Sequence, residues 1–185
     1  ALEPGRVLAG LQLQLPLYLL AVEQALHAHP AGAFYYAIDE SVLEGDNPER
    51  IREKRLAACR LSGLAVAEEA VLRGMERDLA GKSSTMTQVK LDGGEAALPP
   101  ELFRSLLIAA LREGAGLARD ILAGRAPIRP AKDGNRPACD WCEYHSVCLF
   151  DTRFPGNRYR HVRPCKKEDL AKRLEGRDTH APVDR

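Results

Sequence analysis

An α/β fold is predicted by three features of the chain. A long amphipathic helical stretch is opened by Pro99-Pro100, shorter helical stretches lie towards both ends, and between them stand brief aromatic-rich or alternating runs of the kind that pair as strands. The 185 residues are enough for one domain with a core, and 45% hydrophobic with 29% charged residues are the proportions of a globular chain. No apolar run approaches the roughly 20 residues of a membrane span; the longest, Leu11 to Leu26, is interrupted by Gln12, Gln14, Glu23 and Gln24. With no charged leader and no A-x-A cleavage pattern, a cytoplasmic location with no membrane partner is expected. The chain opens without an initiator methionine, as a fragment of a longer polypeptide would.

Each element has its own warrant. From Leu11 to Ala28 the apolar residues Leu13, Leu17, Leu20 and Ala21 recur at helical spacing, Pro16 is tolerated only near the first turn, and Pro30 and Gly32 end the run. Ala33 to Ile38 has the composition of a buried strand. Asp39 to Arg55 is polar and reads as a loop with a short helical piece. Val66 to Leu79 is amphipathic, with Gly81 as its C-cap, and Thr85 to Leu91 alternates like an edge strand. The helix from Pro100 to about Ala123 carries Leu102, Leu106, Ala109, Ala110, Leu117 and Ile121 on one stripe, with Gly124 closing it. Pro127, Pro130, Gly134 and Pro137 then make an extended connector, and a short helix is expected from about Lys167 before the chain frays. Gly81-Lys82-Ser83-Ser84 imitates a phosphate-binding loop, but Glu76 stands where its first glycine belongs, and it reads as a helix cap.

The chemistry concentrates in Cys139-x2-Cys142-x5-Cys148, which puts three thiols within ten residues. A C-x2-C turn aims two sulfurs at one ion and a third close by can join them, a donor set that suits zinc or an iron–sulfur cluster. A fourth donor is available as His145 or Cys165, and spacing alone leaves zinc and iron open. Cys59, in Leu56-Ala57-Ala58-Cys59, reads as a small buried residue. Net charge is +1, but basic residues outnumber acidic ones from Arg153 to Arg177, a run that reads as solvated surface or as a phosphate-binding tail. His27 and His29 sit at a helix end, where the dipole's negative pole suits them.

The run from Cys139 to Asp151, followed by Pro155-Gly156-Asn157-Arg158-Tyr159-Arg160, resembles the C-terminal end of the AddB-type helicase–nuclease proteins, which carry a RecB-family nuclease domain. Gln14-x3-Tyr18 resembles the Q-x3-Y motif of that family; residues four apart share a helix face, so an amide and a phenol there can orient a phosphate or a metal-bound water. Pro30 to Tyr36 and Arg60 to Leu64 are also similar to segments of those proteins, so the resemblance runs from about residue 10 to 164. It implies a partial restriction-endonuclease-like fold of the PD-(D/E)XK, RecB type over 1–136 and an iron–sulfur segment over 137–164, and the charge pattern leaves 165–185 as a basic tail. It further implies a 4Fe–4S cluster on Cys139, Cys142 and Cys148 that ties the end of the domain to its beginning, with the fourth cysteine upstream of this chain. His145 and Cys165 would then be bystanders, and Trp141 would shield the cluster.

The same resemblance implies Mg²⁺-dependent DNA cleavage by the parent, with an AddA-type protein as heterodimeric partner and ATP-dependent resection of DNA ends in double-strand-break repair. The (Asp/Glu)-x-Lys element of that family is missing, because no lysine here has an acidic residue two places before it; the chain starts too late to hold it, and alone it is expected to be inactive. Arg158, Tyr159 and Arg160 are the candidate DNA contacts. Two other functions fit parts of this pattern. One is a free-standing CRISPR-associated exonuclease of the RecB family; the other is a zinc-binding interaction module without catalysis.

Overall fold

The computed structural model describes residues 2–38, 47–76, 94 and 96–178. Helix α1 (Pro4–Leu8) starts on a proline, whose missing N–H is unneeded at a helix's first position. Gly10, at φ +74°, turns the chain into α2 (Gln14–Leu26), a conformation glycine adopts without a Cβ clash. Pro16 lies in the first turn of α2, as expected. The helix stops one residue before His27, itself left-handed at φ 52°, rather than running on to Ala28.

Strand β1 (Gly32–Tyr35) pairs antiparallel with β2 (Ser62–Val66), Ala33 lying opposite Leu64, and β2 pairs in parallel with β3 (Ala97–Leu98). β1 is therefore an edge strand in the order β1-β2-β3, and the expected buried strand is corrected: only Ala33 is buried, while Tyr36 and Ile38 are exposed. Along this edge strand Phe34 packs against the cluster of Ala65, Leu72 and Ala96, while Tyr35 is exposed. β2, not anticipated from the sequence, is the buried centre. Gly63 lets its backbone lie so close to Ala33 that any side chain there would meet the Ala33 carbonyl.

The polar stretch after β1 forms a full helix, α3 (Pro48–Ala58), rather than a loop with a short helical piece. Its start is fixed locally, since Asn47 Oδ1 accepts from the backbone N–H of Glu49 at 2.8 Å and Pro48 takes the first position. Cys59, just past its end, is exposed rather than buried; contact with its thiol raises the Tyr36 phenol above the ordinary range. Helix α4 (Glu69–Met75) begins three residues later than expected because Val66 is claimed by β2. The expected strand at Thr85–Leu91 and the cap at Gly81 lie outside the described residues.

The 23-residue α5 (Pro100–Leu122) runs unbroken through Gly114 and Gly116. Phe103, Leu106, Leu107, Ala109 and Ala110 on it are buried against Val7 and Leu8 of α1, Leu64 and Val66 of β2, and Leu98. Each leucine fully buried there contributes about 1.5–3 kcal/mol. Gly114 leaves room for Leu17 of α2, which would lie 3.6 Å from a Cβ at that position. The expected stripe is buried only in its first half: Ile121 is 75% exposed.

The expected connector after α5 is instead a second sheet. β4 (Ala131–Asp133) and β5 (Arg136–Pro137) form a hairpin turned at Gly134, φ +56°, and β6 (Arg160–Val162) joins β4 in parallel, giving the order β5-β4-β6. The last helix (Lys167–Asp178) follows, and Leu170 and Leu174 are buried in the main core. The basic tail is thus partly a core element, because two leucines four apart give it an apolar face.

Candidate functional site

Gln14 opens α2, and Tyr18 follows one turn later on the same face. Gln14 Nε2 donates to the Tyr18 hydroxyl oxygen at 3.0 Å, and both side chains are exposed. The phenol is the acceptor in this bond, so its own proton remains for an anionic ligand. Leu13, Leu15, Leu19 and Leu20 pack against the core from the rest of the helix, so the pair projects from a held scaffold.

The cysteines occupy the crossover between β5 and β6. Cys139 lies on a 3-10 turn (Ala138–Trp141), and Cys142 just past it donates its backbone N–H to the Cys139 carbonyl at 3.2 Å. Cys148 ends the short helix α6 (His145–Cys148). All three are free thiols, Cys142 and Cys148 exposed and Cys139 partly so. The segment has almost no core of its own, Phe150 being its buried side chain, so packing gives no reason for thiols at these positions. Their chemistry therefore fits a soft metal or cluster. Among the described residues, no three His, Cys, Asp or Glu side chains stand grouped to hold a metal, the three thiols included. Trp141 is 78% exposed.

What orders the segment is aromatic and charged contact. The Tyr159 and Phe150 rings lie 5.0 Å apart, and Lys132 Nζ stands 5.5 Å from the centre of the Tyr159 ring. Burial pushes the Tyr159 phenol up, and the Cys139 thiol adds to the rise by its charge and hydrogen bond. Asp151 organises the following loop: its carboxylate accepts the Arg153 backbone N–H at 2.8 Å and the Arg153 guanidinium, which holds the carboxyl below the usual range. Asn157 Nδ2 donates to the Asp151 carbonyl at 3.0 Å.

Of the three candidate DNA contacts, Arg158 is exposed. Tyr159 is engaged by Phe150 and Lys132, and Arg160 donates to the Ala9 carbonyl at 2.5 Å. Cys165 lies apart, between β6 and the last helix, half-buried against the core beside Arg173; burial pushes its thiol up. Sequence reasoning missed Arg6 and Asp133, whose side chains join at 2.7 Å across 127 residues. No periodicity or motif marks such a pair. A groove of about 320 Å³ opens beside them, lined by Pro4, Arg6, Gly63, Asp133 and Cys165.

The profile of the PD-(D/E)XK nuclease superfamily matches residues 3–149. Among curated proteins, an ATP-dependent helicase/deoxyribonuclease subunit of Moorella thermoacetica is 34% identical over 175 residues, covering 87% of this chain and 15% of that protein. The protein of the same name from Clostridium novyi is 33% identical over 177 residues, covering 87% and 15%. That from Alkaliphilus metalliredigens is 28% identical over 180 residues, covering 90% and 16%. The chain thus spans about 16% of the length of the curated relatives it matches.

Proposed function

Because the chain belongs to the PD-(D/E)XK nuclease superfamily, we propose that it forms the C-terminal part of the nuclease domain of an AddB-type protein that degrades DNA ends in double-strand-break repair. The observation that carries this reading is the Gln14–Tyr18 pair: a hydrogen-bonded amide and phenol, presented to solvent at the start of a core-anchored helix within the matched span. Such a pair can bind a phosphate oxygen or orient an attacking water. When bound, Mg²⁺ would polarise the phosphate. No (Asp/Glu)-x-Lys element is present to hold it, so the 185 residues by themselves cleave nothing. The full-length protein acts with DNA, ATP and a helicase–nuclease partner of the AddA type.

Cys139, Cys142 and Cys148 would hold three corners of a 4Fe–4S cluster, with a fourth cysteine from elsewhere in the protein; the cluster supplies a covalent clip rather than an electron-transfer step. The thiols sit on a crossover closed at its base by the β4–β6 pairing, where a clip restrains the segment against the domain.

The test uses the full-length protein with its helicase–nuclease partner on linear duplex DNA. Mg²⁺-dependent degradation that chelation abolishes, slowed by Gln14→Ala with DNA binding retained, supports the reading. Absence of cleavage, or a Gln14→Ala protein as fast as wild type, overturns it. Anaerobic purification with metal analysis reads the second element, and a colourless protein with stoichiometric zinc would remove the cluster.

A further inference from the structure

Three contacts fasten the cysteine-bearing sheet to the turn that precedes α2. Arg6 Nε donates to Asp133 Oδ2 at 2.7 Å, joining α1 to β4 with both side chains more than half shielded. Arg160 of β6 donates to the Ala9 carbonyl at 2.5 Å, at the residue that ends α1. Between them the backbones meet directly: a Cβ on Gly5 would lie 2.5 Å from the Arg163 carbonyl oxygen, so α1 rests against the chain leaving β6.

The other side of the turn is equally tied. The Arg6 carbonyl accepts the Leu11 backbone N–H at 2.9 Å, and Gly10 carries the chain round at φ +74°, shortly before Gln14 opens α2. A displacement of α1 is therefore passed to Gln14 and Tyr18 through a short, hydrogen-bonded turn. The opposite ends of Asp133 and Arg160 reach the cysteines as directly. Asp133 faces Arg136 in the hairpin, just before Cys139, and Arg160 is the first residue of the strand that closes the crossover.

We propose that Arg6, Asp133 and Arg160 are positioning residues, through which the sheet bracketing Cys139, Cys142 and Cys148 holds the α1–α2 turn and so aims the Gln14–Tyr18 pair. Arg160 then acts through the Ala9 carbonyl rather than on DNA phosphate. This rests on the nuclease reading above. Reacting groups tolerate little misplacement, and an error of about 1 Å in a positioned group costs up to ~100-fold in rate. Loss of one of several tethers is expected to cost roughly tenfold.

The experiment compares Asp133→Asn, Arg160→Gln and the exchanged pair Arg6→Asp with Asp133→Arg in the full-length protein. It measures kcat and KM on linear duplex DNA, the salt dependence of DNA binding, and metal content. The expected result is kcat lower by about tenfold in the single variants, KM, salt dependence and metal content unchanged, and most of the loss recovered in the exchanged pair. Unchanged kcat overturns the proposal. So does a raised KM with a shallower salt dependence in Arg160→Gln, which marks a phosphate contact, and so does loss of metal without recovery in the exchanged pair, which marks a merely structural role.

Hydrogen exchange separates this from the nuclease reading itself. Asp133→Asn should speed exchange of the Leu11 and Leu17 amides, both hydrogen-bonded at this turn, while leaving the middle of α5 unaffected. Faster exchange in a protein that cleaves no DNA sinks the nuclease reading and keeps the coupling. Unaltered exchange in an active nuclease sinks the coupling alone.

Discussion

The side-chain amide of Gln14 donates a hydrogen bond to the hydroxyl oxygen of Tyr18 at 3.0 Å, one turn along the same helix, with both groups open to solvent. An exposed polar pair adds little to folding. Tyr18→Phe removes the hydroxyl and leaves the ring; its stability should stay within about 0.5 kcal/mol of wild type. Cleavage by the full-length protein should fall on the order of tenfold or more if the phenol donates to a phosphate or water. Thermal unfolding and single-turnover cleavage measure the two effects separately.

The cysteines should divide into two classes. Cys139→Ser, Cys142→Ser and Cys148→Ser are each expected to abolish or sharply reduce bound metal, because thiolate is the donor that soft metals select. Cys165→Ser should leave metal content intact, since that thiol sits half-buried beside Arg173, against the main core and outside the crossover. Metal analysis of the four variants decides the matter, and loss of metal in Cys165→Ser would favour a self-contained zinc site.

Burial raises the Cys165 thiol above its ordinary range, with the charge of Asp169 adding and Arg173 opposing. The thiolate is the reactive form, so Cys165 should be alkylated more slowly than exposed Cys59 near pH 8. For a raised group, the associated stability is present below the ordinary thiol range and is lost as pH rises through the folded value. Alkylation of Cys165 should therefore accelerate above that range more than the thiolate fraction of a free thiol would predict. Mass mapping of modified peptides against pH checks this.

Two glycines should respond in opposite directions. Gly5→Ala places a Cβ 2.5 Å from the Arg163 carbonyl oxygen, a backbone atom that cannot simply rotate away, and should destabilise by about 1–3 kcal/mol. Gly116→Ala, inside α5 with nothing within 4 Å, should stabilise by about 0.5–1 kcal/mol through helix propensity. Denaturant midpoints at constant slope measure both.

Helix α5 was the most legible element in the sequence, because Pro100 at its start and Leu106, Ala109 and Ala110 on one stripe are local signals. The Gln14–Tyr18 pair was legible for the same reason, helical spacing alone putting it on one face. Strand β2 was not, since Gly63 and Ala65 have poor strand propensity and are held there by β1 and β3 on either side. Nor was the second sheet, whose strands of two and three residues carry no period long enough to read.

What the sequence determined by itself was the chemistry on offer: three thiols within ten residues and an amide–phenol pair, at separations that turn and helix geometry impose. What only the tertiary structure decided was how those two features are joined. Arg6 meets Asp133 across 127 residues, and Arg160 meets Ala9 across 151. Contacts at that range depend on where the core places α1 against β4 and β6. Val7 and Leu8 of α1 and Leu170 of the last helix are buried in one core with Leu106 and Leu107 of α5, and no local pattern encodes that packing.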